Sequence, residues 1–186
     1  MSIEEPKFTL ATSDGAFELR DYSAMIVAEV AVTGDQQAAS QKGFRLLAGY
    51  IFGGNHARTK IAMTAPFTKT AKSQKIAMKA PVTQIAAEGI WLVRFTMPSQ
   101  YGLADLPVPN DPAVTLKALP PMRLAVLRFS GLAGEAKVAA MTESLVAIVK
   151  SRGLVPVGPS SLARYNPPWT PWFLRRNEVM IPVGRG

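Results

Sequence analysis

The chain contains no cysteine. That absence excludes disulfides, thiolate ligation of iron, thioether attachment of a cofactor and cysteine-based zinc sites. Histidine is nearly as scarce: His56 stands alone, so sites that need paired imidazoles are excluded and any Ser-His-Asp arrangement would have to use that one ring. No G-x-S-x-G elbow accompanies it, and Gly53-Gly54-Asn55-His56 is neither a P-loop nor a dinucleotide fingerprint. Long apolar runs are also missing; none approaches the ~18 to 20 residues of a membrane-spanning helix. The start, Met1-Ser2-Ile3-Glu4-Glu5-Pro6-Lys7, lacks the basic-then-apolar build of a secretory signal, and a soluble cytoplasmic protein is the expectation.

Acidic residues are outnumbered, 13 against 21 basic, which leaves a net charge of +8 and favours anionic partners through attraction that salt screens. The basic residues are nevertheless dispersed, apart from Lys69, Lys72, Lys75 and Lys79. No helix carries a basic stripe interleaved with aromatics, so a nucleic acid is not the expected partner.

What is present is a hydrophobic fraction of 48% with 18% charged residues, which predicts a folded globule, and 186 residues suffice for a single domain over residues 1–186. Lys60-Ile61-Ala62-Met63-Thr64-Ala65-Pro66-Phe67-Thr68 recurs fifteen residues later as Lys75-Ile76-Ala77-Met78-Lys79-Ala80-Pro81-Val82-Thr83. Ile61, Met63 and Ala65 alternate with smaller or polar residues, the period of a strand with one apolar face, and Pro66 and Pro81 belong at a strand end, edge or bulge. The polar stretch from Lys69 to Gln74 reads as an exposed, mobile loop between them.

A longer correspondence appears at an offset of 97, which aligns Met25 with Met122, Ala28 with Ala125 and Gly34 with Gly131. The register runs on into helical sequence, with Phe44 opposite Met141 and Ile51 opposite Ile148. Two related halves, approximately 14–97 and 112–183, each strand, strand, helix and further strand, are therefore predicted about a pseudo-twofold. In the first half Thr33 or Asp35 can cap a helix whose stripe is Phe44, Leu47, Ala48 and Ile51, and Gly53-Gly54-Asn55 can stop it. In the second, Ser130 precedes Glu135, the stripe is Val138, Met141, Leu145, Ile148 and Val149, and Lys150, Arg152 and Gly153 suit a C-terminus. Strands are predicted near 16–22, 24–32, 60–67, 75–83, 90–97, 113–118, 122–129, 161–166 and 177–182, with proline-rich loops over 98–112 and 166–175. The fold class is α+β: a distorted antiparallel, barrel-like sheet carrying two amphipathic helices. A groove between helix and sheet is a usual place for a small-molecule pocket.

Several motifs together resemble the SOUL haem-binding family. The K-I-A-M-T-A-P-[FV]-T core is joined by Phe17-Glu18-Leu19-Arg20-Asp21-Tyr22, Tyr50-Ile51-Phe52-Gly53-Gly54-Asn55, Phe95-Thr96-Met97-Pro98 and Leu106-Pro107-Val108-Pro109. Arg128-Phe129-Ser130-Gly131, Tyr165-Asn166-Pro167-Pro168 and Arg175-Arg176-Asn177-Glu178-Val179 complete the set. The resemblance implies a noncatalytic protein that holds haem or another tetrapyrrole reversibly and noncovalently in an apolar groove, with basic residues at the rim for the propionates. It places the pocket on one face of the first helix, at Gln41, Phe44 and Ala48, where animal relatives carry an Arg and two Met. Phe44 could stack on a porphyrin, and Arg45, at i+4 from Gln41, could supply the cation. Packing of Phe44 and Ala48 against the sheet is the competing reading.

A few further residues carry chemistry of interest. His56 reads as a residue capping a helix C-terminus, with axial ligation of haem iron as its alternative role. Met25, Met63, Met78, Met97, Met122, Met141 and Met180 read as core fillers, with thioether ligation as theirs. Glu18 with Arg20, and Arg175 or Arg176 with Glu178, alternate as strand neighbours and read as ion pairs. Two other functions stay open. One is an effector-binding module for small lipophilic cations, which demands a buried carboxylate, with Glu18, Glu29 and Glu178 as candidates. The other is a small-molecule hydrolase or tetrapyrrole-modifying enzyme, for which no convincing acid, base and nucleophile set is visible.

Overall fold

The computed structural model describes residues 5–57, 74–76, 81–87, 89–166 and 169–185. Its strands are β1 (Phe8–Asp14), β2 (Phe17–Tyr22), β3 (Met25–Val32), β4 (Asn55–His56), β5 (Val82–Ala87), β6 (Ile90–Thr96), β7 (Val108–Pro109), β8 (Thr115–Leu119), β9 (Met122–Ser130), β10 (Leu154–Pro156), β11 (Ser161–Arg164) and β12 (Arg176–Arg185). The helices are α1 (Gln36–Ile51) and α2 (Glu135–Ser151), with a short 3-10 turn at Trp172–Leu174. Among the described residues ten strands form one strongly curled antiparallel sheet, in the order β1-β2-β9-β12-β11-β5-β6-β3-β8 with β10 paired to β12. β4 and β7 make a separate two-residue ladder.

Alternation along the strands sorts the side chains onto two faces. On the helix side, Phe17, Leu19, Ala125, Leu127, Val179 and Ile181 lie in one core with Leu145 and Val149 of α2. Ala28, Val30, Val32, Val93 and Phe95 lie in another with Ala39, Leu47, Tyr50 and Ile51 of α1. The opposite face carries a smaller core of Tyr22, Leu124, Val126, Ala163 and Met180. Burial of each large apolar side chain in these cores contributes on the order of 1.5 to 3 kcal/mol. Cores on both faces explain why a sheet this long curls around one side while α1 and α2 cover the other.

Residues 97 positions apart hold corresponding places in the ladder. β2 pairs with β9 through Leu19↔Ala125 and Tyr22↔Met122, while β8 pairs with β3 through Leu116↔Ala28 and Leu119↔Met25. Each residue of the second set lies 97 positions from its counterpart in the first. The strand order from β2 to β8 also reads the same in reverse when β2 is exchanged with β8, β3 with β9, β5 with β11 and β6 with β12.

Local chemistry sets the helix ends. The Asp35 carboxylate accepts the Ala38 amide at 2.8 Å, which makes Asp35 rather than Thr33 the N-cap of α1. After the C-cap Phe52, Gly53 takes φ +121°, a conformation other residues adopt only with strain. Gly134 is the N-cap of α2; Ser130 ends β9 instead.

Two regions differ from the sequence expectation. Residues 74–76 carry no strand; the strand expected over 75–83 is β5, which starts at Val82 immediately after the buried Pro81. That places Pro81 at a strand end, where a missing N–H costs no ladder bond. The expected strand 60–67, Pro66, and residues 69–73 of the expected loop lie outside the described residues. Strand β1 is absent from the sequence expectation because every one of its residues is exposed, so it shows no apolar alternation.

Candidate functional site

The flank of α1 beside β5 and β11 collects the residues the sequence singles out. Gly43, Leu47, Tyr50 and Ile51 turn into the sheet, which leaves Gln41 and Arg45 exposed, Ala48 half-buried and the Phe44 ring 38% exposed at the edge of the contact. The exposed Phe44 is not loose: its ring meets that of buried Phe95 edge-on, with centroids 5.4 Å apart. Phe95 stands opposite Val82, and Val82 opposite Arg164, so one row of the sheet runs Phe95, Val82, Arg164 beneath the helix. Two strand spacings, about 10 Å, separate the ends of that row. Arg164 is tied to α1 by a bond from Nη1 to Ser40 Oγ of 2.5 Å. Ser40 precedes Phe44 by one helical turn, so aromatic edge and guanidinium lie on the same flank.

Arg164 is not among the site candidates that the sequence offers. It carries no signal there, since a lone Arg at a strand end reads as a solvated charge. Burial, and next the nearby charge of Arg175, push its guanidinium below the usual arginine value.

The other face holds a different constellation. Arg20 bonds Glu18 at 2.7 Å and grips both oxygens of Glu178, while Arg176 and the Tyr165 hydroxyl also reach Glu178 and Arg128 reaches Glu18. Burial alone would raise the Glu178 carboxyl, but hydrogen bonds from Arg20 and Tyr165 and the charges of Arg20 and Arg176 hold it below the usual carboxylate range. Burial, and then the Glu178 charge, push the Tyr165 phenol well above its ordinary value. Glu29 is held by Arg94 at 2.5 Å and Lys117 at 3.6 Å. The Glu18–Arg20 and Arg176–Glu178 pairs are those expected from strand alternation, while the contacts of Arg20 with Glu178, Arg128 with Glu18, and Arg94 and Lys117 with Glu29 cross between strands and are not revealed by strand neighbours alone.

His56 does not cap a helix. It sits in β4 opposite Val108, with Nδ1 2.8 Å from Asn110 Oδ1. Met97 and Met180 are buried, and Met25, Met122 and Met141 pack against the cores as fillers; Met63 and Met78 lie outside the described residues. A cavity of about 290 Å³ opens where the β2–β3 turn meets the ends of β6 and β8, lined in part by Met25, Ile26, Met97, Tyr101 and Leu119. No residue of α1 borders it, and its volume is at the lower limit for a pocket that encloses a drug-sized ligand. The segment after β11 exposes Trp169, Trp172, Phe173 and Leu174, each more than half accessible.

The family model of the SOUL haem-binding protein matches residues 3–182, nearly the whole chain. The chain belongs to the SOUL family. No curated protein matches this SOUL chain in sequence. Among solved structures it is similar to the EcmrR C-terminal domain, with a TM-score of 0.62 and 10% identity over 96% of this chain and 99% of that one. It is also similar to a hydrolase from Listeria innocua, with a TM-score of 0.56 and 12% identity over 94% of each chain. SAV2435 bound to tetraphenylphosphonium follows, with a TM-score of 0.50 and 13% identity over 90% of this chain and 93% of that one. At these identities the likeness to the three is one of fold alone. Among the described residues no helix of the SOUL chain is long and apolar enough to cross a membrane.

Proposed function

We propose that this SOUL protein binds haem or a related tetrapyrrole reversibly, without transforming it, along the α1 flank formed by Gln41, Phe44, Arg45 and Ala48. The observation that carries the reading is Phe44, a large aromatic side chain left 38% exposed yet fixed against Phe95, with the Arg164 guanidinium bonded to Ser40 one helical turn before it. Such a surface suits a flat apolar ring with charged edges. Phe44, braced from beneath by buried Phe95, would take the ring face, Arg45 and Gln41 the rim, and half-buried Val82 part of the floor. None of the four flank residues offers an imidazole, thiolate or thioether, so the site fits the macrocycle rather than its iron. When bound, haem would supply reversible redox and axial-ligand chemistry at the iron.

The cation-binding alternative finds less support. A lipophilic cation of the kind bound to SAV2435 needs an available buried carboxylate. Glu18, Glu29 and Glu178 each already hold at least one guanidinium within 3 Å, so an organic cation would have to displace it. The resemblance in fold to a hydrolase supplies no residues for an enzymatic reading: Nδ1 of the one imidazole meets the side-chain amide of Asn110, where a Ser-His-Asp arrangement needs a carboxylate.

The test is a Soret titration of the purified protein, with apomyoglobin as competitor. Phe44→Ala should weaken haem binding by about ten- to a hundredfold, the equivalent of 1.5 to 3 kcal/mol of aromatic burial. Unchanged affinity in a folded Phe44→Ala variant would remove the site from this flank.

A further inference from the structure

We propose that Arg164 anchors a carboxylate of the ligand, so that the α1 flank selects acidic amphiphiles over their neutral esters. The proposal rests on the reading of that flank as the ligand site and adds to it the residue and the chemistry that set its selectivity.

Among the described residues six arginines are matched to acids. Arg20, Arg94, Arg123, Arg128, Arg152 and Arg176 each have a carboxylate oxygen at 3.0 Å or less. Arg164 is half-buried and, among the described residues, has no carboxylate partner. Its bonds go only to neutral acceptors, Ser40 Oγ at 2.5 Å and the Ala133 carbonyl at 3.4 Å. A half-buried cation without a counter-ion loses part of its hydration uncompensated, and the positive charge of neighbouring Arg175 adds to that cost. An arginine stays protonated regardless. The arrangement therefore lacks one component, an anion.

The two neutral acceptors do more than solvate the charge. Ser40 belongs to α1 and Ala133 lies just before α2, so the guanidinium is fixed where the two helices approach the same sheet row. Of its five N–H donors, the two bonds engage one on each Nη, and the rest remain for a ligand. A pre-oriented fork of this kind donates two parallel bonds to a carboxylate. Half-buried Val82 lies beside Arg164 in the same row, and Phe44 stands above it braced by buried Phe95, so the cation adjoins an apolar surface. A carboxylate joined to a flat apolar body satisfies both parts, and an ester of the same body satisfies only the apolar surface.

The experiment titrates the full chain with protoporphyrin IX and with its dimethyl ester, followed by porphyrin fluorescence, for wild type, Arg164→Gln, Arg164→Lys and Ser40→Ala. Wild type should prefer the diacid by about tenfold or more. Arg164→Gln should abolish that preference by weakening the diacid alone, with the ester held within about twofold. Lysine, a point charge without the fork, should restore part of it. Ser40→Ala, which frees the fork while it leaves the charge, should reduce the preference severalfold, and it serves if Arg164→Gln fails to fold. Equal binding of acid and ester by wild type, or equal weakening of both in the folded variants, would make Arg164 a brace between the helices and overturn the anchor, while ester binding would leave the flank site standing. Binding of neither porphyrin by wild type would overturn the flank site and the anchor together.

Discussion

Arg20 donates from both Nη atoms to the two carboxylate oxygens of Glu178, at 2.9 Å each, across 158 positions of sequence. The strands that carry them, β2 and β12, flank β9, so the pair fastens an early strand to the last one over the strand between them. Both side chains are almost inaccessible, at 1% and 0%. Breaking a buried pair from one side strands the other charge, whereas the intact pair gains little over a hydrophobic substitute. Arg20→Met should therefore destabilise the protein by about 3 to 5 kcal/mol in urea unfolding. A loss below about 1 kcal/mol, the worth of a surface pair, would show that water reaches the network.

The same network sets the limits of pH. Because its native pKa is depressed, Glu178 contributes stability above the unfolded carboxylate value near about 4.3, and that contribution is lost as pH falls through the native value. Tyr165 behaves oppositely. Its raised native pKa keeps the phenol protonated, so its contribution is complete below about pH 10 and declines as pH rises past that point, where the unfolded chain gives up the proton first. Thermal melts from about pH 2 to about pH 11, which enter both windows, compared with Tyr165→Phe, check both arms; the variant should weaken the alkaline decline, leaving the share of Tyr22, whose phenol burial also raises, and keep the acid one.

Legibility in the sequence differs by level. The 97-residue offset aligns positions such as Met25 and Met122 that keep their type, and these hold matching places in the ladders of β3 with β8 and β2 with β9, although the offset alone does not say which strands pair. Strand β1 is not, since its exposed residues carry no periodicity. The Glu18–Arg20 contact can be read from strand alternation, but Glu178 joins Arg20 only through the order of strands in the sheet, which no local pattern encodes. At the candidate site Phe44 is found through a resemblance and a helical period. Arg164 stays hidden because its significance lies in the missing counter-ion.

His56→Ala should leave haem affinity within about threefold. The ring is committed through Nδ1 to Asn110 beside the β4–β7 ladder, and the proposed site on the α1 flank contains no imidazole. The absorption spectrum of the complex provides the check. Loss of an iron-imidazole spectrum together with tenfold weaker binding, ~1.4 kcal/mol, would show that the only histidine is a ligand.

Gly43→Ala tests whether the position of α1, rather than its sequence alone, creates the site. A Cβ at Gly43 would lie 2.5 Å from Val93 Cγ2 and 2.6 Å from Val93 Cβ, distances no carbon pair tolerates, and Val93 is a branched, fully buried residue with no room to turn. The helix must then lift from β6, and with it Phe44 from Phe95. Overpacking of this kind costs about 1 to 3 kcal/mol. Gly49, on the same helix, is the control, because a Cβ added there would meet nothing within 4 Å. Gly49→Ala should stabilise the fold by roughly 0.4 to 1 kcal/mol through helix propensity and chain entropy, without change in haem affinity. If Gly43→Ala lowers stability yet leaves porphyrin binding as tight as in Gly49→Ala, the Phe44–Phe95 contact is not part of the binding surface, and the role of α1 is confined to covering the core.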